Sequence, residues 1–481
     1  MKSGATHVPC PLRAAATASP GVPAVVGAGG ALTYGRLDLL VAGTEKRIAE
    51  IGLGSGARVA LHLSKDERYL VLLLALIRAG CVACPLSTRL PPGGIAPLLE
   101  KAACRVLISD QEELLEAVGG VRKLRPEKLL ADEPARGYPS EPLHLALDRP
   151  ATIVFTSGST GAPKAALHTF GNHYYSALGS NANIALAPGD RWLHSLPLYH
   201  VGGLSILFRC LLAGATVALP EPGAPLGEAI AGATHVSLVS TQLLRLLRED
   251  FDSRELRAIL LGGGPIPPPL VDEAAGRGLP IHTSYGLTEM ASQVTATPPG
   301  ASREELHTSG RPLPHHEISI SDDGEILVRG ETLFTGYVEG EVVDRPLDAD
   351  GWFRTGDLGE LDVSGNLRVR GRKDNLFTSG GENVQPEEIE EALCRLEGVE
   401  DAVVVPVPDA EFGFRPVAFV RTAGGVVEPE LLSLELERTL PRFKIPVAFH
   451  GWLEETGGMK PDRALLRERA RRLRRGEPDY A

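Results

Sequence analysis

Up to about residue 290 the chain alternates short apolar runs with helical patterns, and this alternation constrains its fold more than any other feature. RVALHL at 58–63 is followed by a helical pattern over 67–78 and then by VACPL at 82–86. ATIVFT at 151–156 is followed by a Gly-rich turn and an amphipathic stretch from Asn172. Such alternation predicts parallel sheets flanked by helices, because two parallel strands need a crossover long enough to hold a helix. From Ile318 the texture changes. ISISDDGEILVRG and ELDVSGNLRVRG alternate apolar and polar residues around Asp-Gly and Ser-Gly turns, predicting a small antiparallel β subdomain.

After GRKDN the pattern changes again, to helix PEEIEEALCRL, strands DAVVVPVP and RPVAFVRT, and helix EPELLSLELERTL. This reads as a compact α+β unit of about a hundred residues, within the usual size of a domain. A chain of 481 residues is too long for one ordinary core. The expected fold is therefore α/β, with a large N-terminal domain over 1–372 and a small α+β C-terminal domain over 373–481. Lys373 and Asp374 are the hinge candidates between them. The closing run RALLRERARRLRRGEPDY spaces its leucines helically and predicts a solvated terminal helix that covers apolar surface with Arg stems.

A formal net charge of -12 argues against a nucleic-acid partner, which would want a basic face. The N-terminus has no apolar core of signal length, and the longest apolar run, 69–77, is too short to span a bilayer. A cytoplasmic protein with no stable membrane insertion is expected, and a homodimer or higher homo-oligomer is left open. The 6 cysteines are scattered, which fits a reducing compartment. Cys81 and Cys84 form a C-x-x-C inside AGCVACPL, where a buried strand fits better than a metal or redox site.

The most specific chemistry lies in TSGSTGAPKAA at 156–166, directly after the strand TIVF. Gly158 and Gly161 let backbone amides turn toward an anion. Thr156, Ser157, Ser159 and Thr160 add hydroxyl donors, and Lys164 adds a mobile cation. Together they make a cradle for a polyphosphate. The Walker spacing is absent, as is a GxSxG elbow, so neither P-loop NTPase nor acyl-enzyme chemistry fits.

This string resembles the signature of the adenylate-forming superfamily, and further stretches fall in that family's order: LPLYHVGGL at 196–204, SYGLTEM at 284–290, RTGDLG at 354–359 and GRKDN at 371–375. The resemblance implies an enzyme that adenylates a carboxylate with ATP and Mg²⁺ and passes the acyl group to coenzyme A. It implies that Ser284, Tyr285, Gly286 and Thr288 meet the nucleotide, with the Tyr285 ring facing the purine and the Thr288 hydroxyl the α-phosphate. Glu289 would be the metal ligand. Gly262, Gly263 and Gly264 would allow close approach of adenine or acyl group, and Asp357 and Arg372 would meet the ribose. Lys460 in GGMKPDR occupies the place of the family's catalytic lysine, although the usual T-G-K reads G-G-M-K here. Ser379, Gly380 and Gly381 would face the pantetheine arm after the small domain turns. His200 either walls the carboxylate and thiol channels or packs at a strand end.

Within the superfamily, DNLFTSGGENVQPEEIE, VPVPDAEFGFRPVA and TGGMKPDRALL are most similar to the o-succinylbenzoate–CoA ligases of menaquinone biosynthesis. That resemblance implies an aromatic dicarboxylate substrate, with Arg209 holding the carboxylate that is not activated. Arg209 is otherwise an odd charge in the apolar run ILFRCLLAG, and an internal ion pair is the alternative. Ser292, Gln293 and Thr295 would add polar contacts.

Overall fold

A computed structural model describes residues 6–131, 142–156, 163–409, 411–452 and 462–475. In an eight-stranded sheet, Pro150–Thr156, Val82–Pro85, Arg58–His62, Val106–Ser109 and Arg122–Leu124 run parallel. Lys164–Thr169, Gly336–Glu339 and Val342–Asp344 extend it with antiparallel strands. A nine-stranded sheet has a parallel centre formed by Pro23–Gly27, Thr216–Ala218, Arg191–Leu193, His235–Leu238, Ala258–Leu261 and Ile281–Leu287. Its edges, Gly30–Thr33 on one side and Ser292–Ala296 with Arg311–Pro312 on the other, are antiparallel.

The predicted parallel sheets are thus mixed at their margins, and two of the reversals lie inside motifs singled out above. The chain turns back after Thr156 into Lys164–Thr169, a strand that the alternation alone does not separate from the Gly-rich turn. It turns back again after Leu287 into Ser292–Ala296. The amphipathic stretch expected from Asn172 is the helix Phe170–Asn183. Its start is set by a capping box: Thr169 Oγ1 accepts from the Asn172 N–H at 3.2 Å, and Asn172 Oδ1 accepts from the Thr169 N–H at 2.8 Å. Buried residues of both sheets and of the helices Tyr34–Glu50, Glu67–Arg78 and Val201–Ala213 form one continuous core.

The two predicted hairpins, His316–Ile320 with Glu325–Gly330 and Phe353–Leu361 with Leu367–Arg372, join in a four-stranded antiparallel sheet. Beyond it, Val399–Asp409 pairs with Gly413–Thr422. Strand alternation sends Ala402, Val404, Ala418 and Val420 toward helix Pro386–Cys394, and Val403, Val405, Val417 and Phe419 toward helix Arg463–Arg474. Both clusters draw only on residues from 377 onward. In the terminal helix Leu466 and Ala470 are buried, and the Arg469 guanidinium lies 5.3 Å from the Phe419 ring centre, as the stem-covering reading predicts.

Cys81 and Cys84 are both buried but face opposite clusters, as residues three apart along a strand must. Cys81 Sγ donates to the Gly54 carbonyl at 3.3 Å. Among the described residues no helix is long and apolar enough to cross a membrane.

Candidate functional site

The two chain reversals bring the phosphate-loop hairpin against the Thr288–Met290 turn. Thr156 and Lys164 are cross-strand partners at the base of the loop; Ser157, Gly158, Ser159, Thr160 and Gly161 lie outside the described residues. From the same strand as Lys164, His168 points into the core, and its Nε2–H donates to the Thr288 carbonyl at 2.7 Å. Burial lowers the His168 pKa to about 4, so the ring is neutral. The bond to a carbonyl then assigns the proton to Nε2. The Phe334 N–H donates to the Glu289 carbonyl at 2.8 Å. The Tyr337 hydroxyl donates to Glu289 Oε1, and Lys164 Nζ lies 4.9 Å from the centre of the Tyr337 ring. Thr288 and Glu289 are therefore anchored from three strands or loops at once.

The turn is followed by strained backbone: Ala291 has φ 56° and Ser292 φ 142°, both uncommon for residues with a Cβ. A Cβ on Gly286 would stand 2.2 Å from the Ser292 carbonyl oxygen, so only glycine lets the two strands close here. The distorted chain presents Ser292 Oγ and Gln293 Oε1 to Arg209, whose Nη2 donates to them at 3.3 and 2.7 Å.

Arg209 is 1% exposed, on helix Val201–Ala213, with its guanidinium 5.1 Å from the Trp192 ring centre. Burial pushes its pKa down to about 9, which still leaves it charged at neutral pH. Among the described residues no carboxylate forms an ion pair with it, and its Nε has no hydrogen-bond partner. The internal ion-pair reading is therefore not supported there. His200 is exposed at the N-cap of the same helix, its ring 4.7 Å from that of Tyr199.

On the other side of the turn, Tyr285 is largely buried and its hydroxyl donates to Asp357 Oδ2 at 2.6 Å. Arg372 Nη1 donates to Asp357 Oδ1 at 3.1 Å and Arg372 Nε to Asp374 Oδ1 at 3.0 Å. Burial opposes the Arg372 charge, but Asp374 and Asp357 outweigh it and hold the pKa above its ordinary value. Lys373 Nζ reaches Asp323 Oδ2 at 2.7 Å and Glu325 Oε2 at 3.0 Å. Gly262 follows strand Ala258–Leu261 beside Ser284, whose hydroxyl donates to the Leu261 carbonyl at 2.7 Å; Gly263 and Gly264 are exposed. Ser379 is buried, while Gly380 and Gly381 are exposed at φ 60° and 88°. The Gly380 N–H donates to the Phe412 carbonyl at 2.9 Å. Lys460 lies outside the described residues.

Among the described residues no three His, Cys, Asp or Glu side chains gather into a metal cage. The Glu289 carboxylate accepts from Tyr337, whose ring lies beside Lys164 at the base of the phosphate-loop hairpin. That fits a hard cation such as Mg²⁺, which is commonly held by one or two carboxylates together with substrate phosphates.

Residues 12–338 match the AMP-binding enzyme family, and residues 388–455 match the AMP-binding enzyme C-terminal domain. The chain belongs to the AMP-binding enzyme family. This AMP-binding enzyme is 38% identical over 438 residues to the 2-succinylbenzoate–CoA ligase of Salmonella typhimurium, covering 90% of each chain. Its structure is similar to that of the o-succinylbenzoate CoA synthetase from Bacillus subtilis in complex with its acyl-adenylate intermediate. The TM-score is 0.86 at 31% identity, over 97% of this chain and 98% of that one. The same Bacillus subtilis synthetase in complex with ATP and a magnesium ion gives a TM-score of 0.83 at 32% identity, over 93% and 96% of the two chains.

Two residues of this AMP-binding enzyme escape the sequence reading. His168 lies 120 positions from its partner Thr288, and Tyr337 lies 48 from Glu289. Neither spacing carries a local pattern; a histidine directly after the apolar run AAL is the one sequence signal that singles out His168.

Proposed function

We propose that the protein is an ATP-dependent 2-succinylbenzoate–CoA ligase of menaquinone biosynthesis, acting in the cytoplasm. The substrate carboxylate attacks the α-phosphorus of ATP, the bond to pyrophosphate breaks, and an acyl-adenylate forms. The CoA thiol then adds to the acyl carbonyl, AMP departs, and the thiol proton is released.

In this reading Lys164 and the loop before it cradle the phosphates, the Thr288 hydroxyl meets the α-phosphate, and Asp357 with Arg372 engages the ribose. Paired acceptor and donor suit a diol. Glu289 would hold Mg²⁺, which would offset charge on the departing pyrophosphate. Tyr285 offers its ring to the purine, with Gly262, Gly263 and Gly264 allowing close approach. Lys460 brings a positive charge to the transition state. The units 1–372 and 373–481 form two domains that rotate about Lys373 and Asp374 between half-reactions, excluding water from the mixed anhydride. The face with Gly380 and Gly381, over the buried Ser379, then receives the pantetheine arm, and His200 walls the carboxylate and thiol channels.

The observation that carries the substrate is Arg209: a buried cation with hydrogen bonds to Ser292 and Gln293 and no carboxylate partner among the described residues. A dicarboxylate supplies the missing anion, and a monocarboxylate does not. The test is pyrophosphate release by purified protein with ATP, Mg²⁺ and CoA, comparing 2-succinylbenzoate with benzoate and octanoate and recording product masses. Release with 2-succinylbenzoate and its CoA thioester in the mass spectrum is expected; release only with a monocarboxylate would overturn the substrate.

A further inference from the structure

The Tyr337 side chain touches two groups that the ligase reading assigns to different jobs. Its ring carries the Lys164 ammonium at 4.9 Å, and its hydroxyl donates to Oε1 of Glu289. The backbone makes this possible. Tyr337 is the cross-strand partner of Ala166, on the same strand face as Lys164 two residues away, so the small alanine leaves room for the ring to lie beneath the lysine. Gly336 has φ 150°, and a Cβ there would stand 2.3 Å from the Asp344 carbonyl oxygen; the strand holding Tyr337 depends on that glycine. Phe334 packs edge-on against the ring, with centroids 4.8 Å apart, and its own N–H holds the Glu289 backbone.

The Tyr337 hydroxyl stays a donor. Its partner is a carboxylate oxygen, which accepts, so the phenol is the donor of the pair. It therefore occupies Oε1 of the Glu289 carboxylate, and outer-shell donors of this kind orient a metal-binding carboxylate. The ring face, meanwhile, restrains a long lysine that would otherwise sample many rotamers.

Resting on the ligase reading of this site, we propose that Tyr337 is a positioning residue that sets the spacing between the Glu289 carboxylate and the Lys164 ammonium, and thereby the fit for a metal–triphosphate. Its two halves act on different ligands. The hydroxyl serves the cation through Glu289, and the ring serves the phosphates through Lys164.

The test compares Tyr337→Phe, which removes only the hydroxyl, with Tyr337→Leu, which removes the ring as well. ATP binding is measured by calorimetry with excess Mg²⁺ and again with EDTA, beside thermal unfolding and a Mg²⁺ titration of pyrophosphate release. For Tyr337→Phe we expect the affinity for MgATP to fall about 10- to 100-fold, the range for loss of an outer-shell partner. Its metal-free ATP binding should match wild type, and kcat should recover at saturating Mg²⁺. For Tyr337→Leu metal-free ATP binding should weaken too. A Tyr337→Phe variant that binds MgATP like wild type would overturn the inference while leaving the ligase reading intact. So would equal losses with and without Mg²⁺ accompanied by a lower Tm. Wild-type protein that bound neither form of ATP would overturn the ligase reading and this inference with it.

Discussion

The Tyr285 hydroxyl donates to Asp357 Oδ2 across 2.6 Å, on the opposite side of the carboxylate from Arg372. Burial and the Asp357 charge both raise the Tyr285 pKa, so the phenol remains a donor and the carboxylate a preset acceptor. Asp357→Ala takes this acceptor from the Tyr285 hydroxyl, leaves Arg372 on Asp374 and the Thr355 carbonyl, and removes the acceptor proposed for the ribose. Initial rates over a range of ATP concentrations should show kcat/KM for ATP lower by about 10- to 150-fold, the equivalent of ~1.5–3 kcal/mol for hydrogen bonds to a charged group. An unchanged value would remove Asp357 from the nucleotide site.

Arg209 offers a sharper separation of substrates. Arg209→Met keeps most of the side-chain volume and removes the charge. KM for 2-succinylbenzoate should rise about 10- to 150-fold, by the same charged-hydrogen-bond range, while turnover of benzoate is unaffected. Thermal unfolding should give a Tm no lower than wild type, because a buried cation without a counter-ion is costly to keep. Equal losses on both substrates would assign Arg209 to packing.

Lys460 should divide the half-reactions. Removing one preorganised charge contact from the transition state is worth roughly 100- to 1000-fold. Lys460→Ala is expected to lose that much in acyl-adenylate formation, followed by pyrophosphate release, and far less in thioester formation from supplied acyl-adenylate. Equal losses in both would mean that another group carries the charge.

Stability should depend on pH through buried histidines. Burial lowers His168 and His316 from 6.5 to about 4 each. The unfolded chain takes up these protons near pH 6.5, whereas the native chain does so only near 4, so stability is complete above 6.5 and falls as pH drops toward 4. The difference is worth at most about 3 kcal/mol per ring. In His168→Gln the amide can still donate to the Thr288 carbonyl but cannot titrate. Urea unfolding from pH 7 to 5 should therefore give a flatter curve than wild type, and parallel curves would show that His168 titrates as if exposed.

Much of this was legible in the chain before any contact was known. The strands Arg58–His62, Val82–Pro85 and Pro150–Thr156, both hairpins of the antiparallel sheet and the helices after Gln385 follow from local periodicity and turn residues. The strand Lys164–Thr169 was hidden, because KAALHT follows the Gly-rich turn without a break of its own and pairs only through its neighbours. Arg209 could be recognised as an odd charge in an apolar helix, but a helix cannot state what faces it. Gln293 and Ser292 reach it only because the strained backbone at Ala291 and Ser292 turns them inward.

By itself the sequence determined the element types, the order of the motifs and the chemistry of each side chain, since these depend on residues within a turn or a strand of one another. Only the tertiary structure decided which of those side chains meet. Tyr337 reaches Glu289, His168 reaches Thr288 and Tyr285 reaches Asp357 through strands distant in the chain. Sheet pairing sets such distances, and the burial that comes with it decides the charge each group keeps.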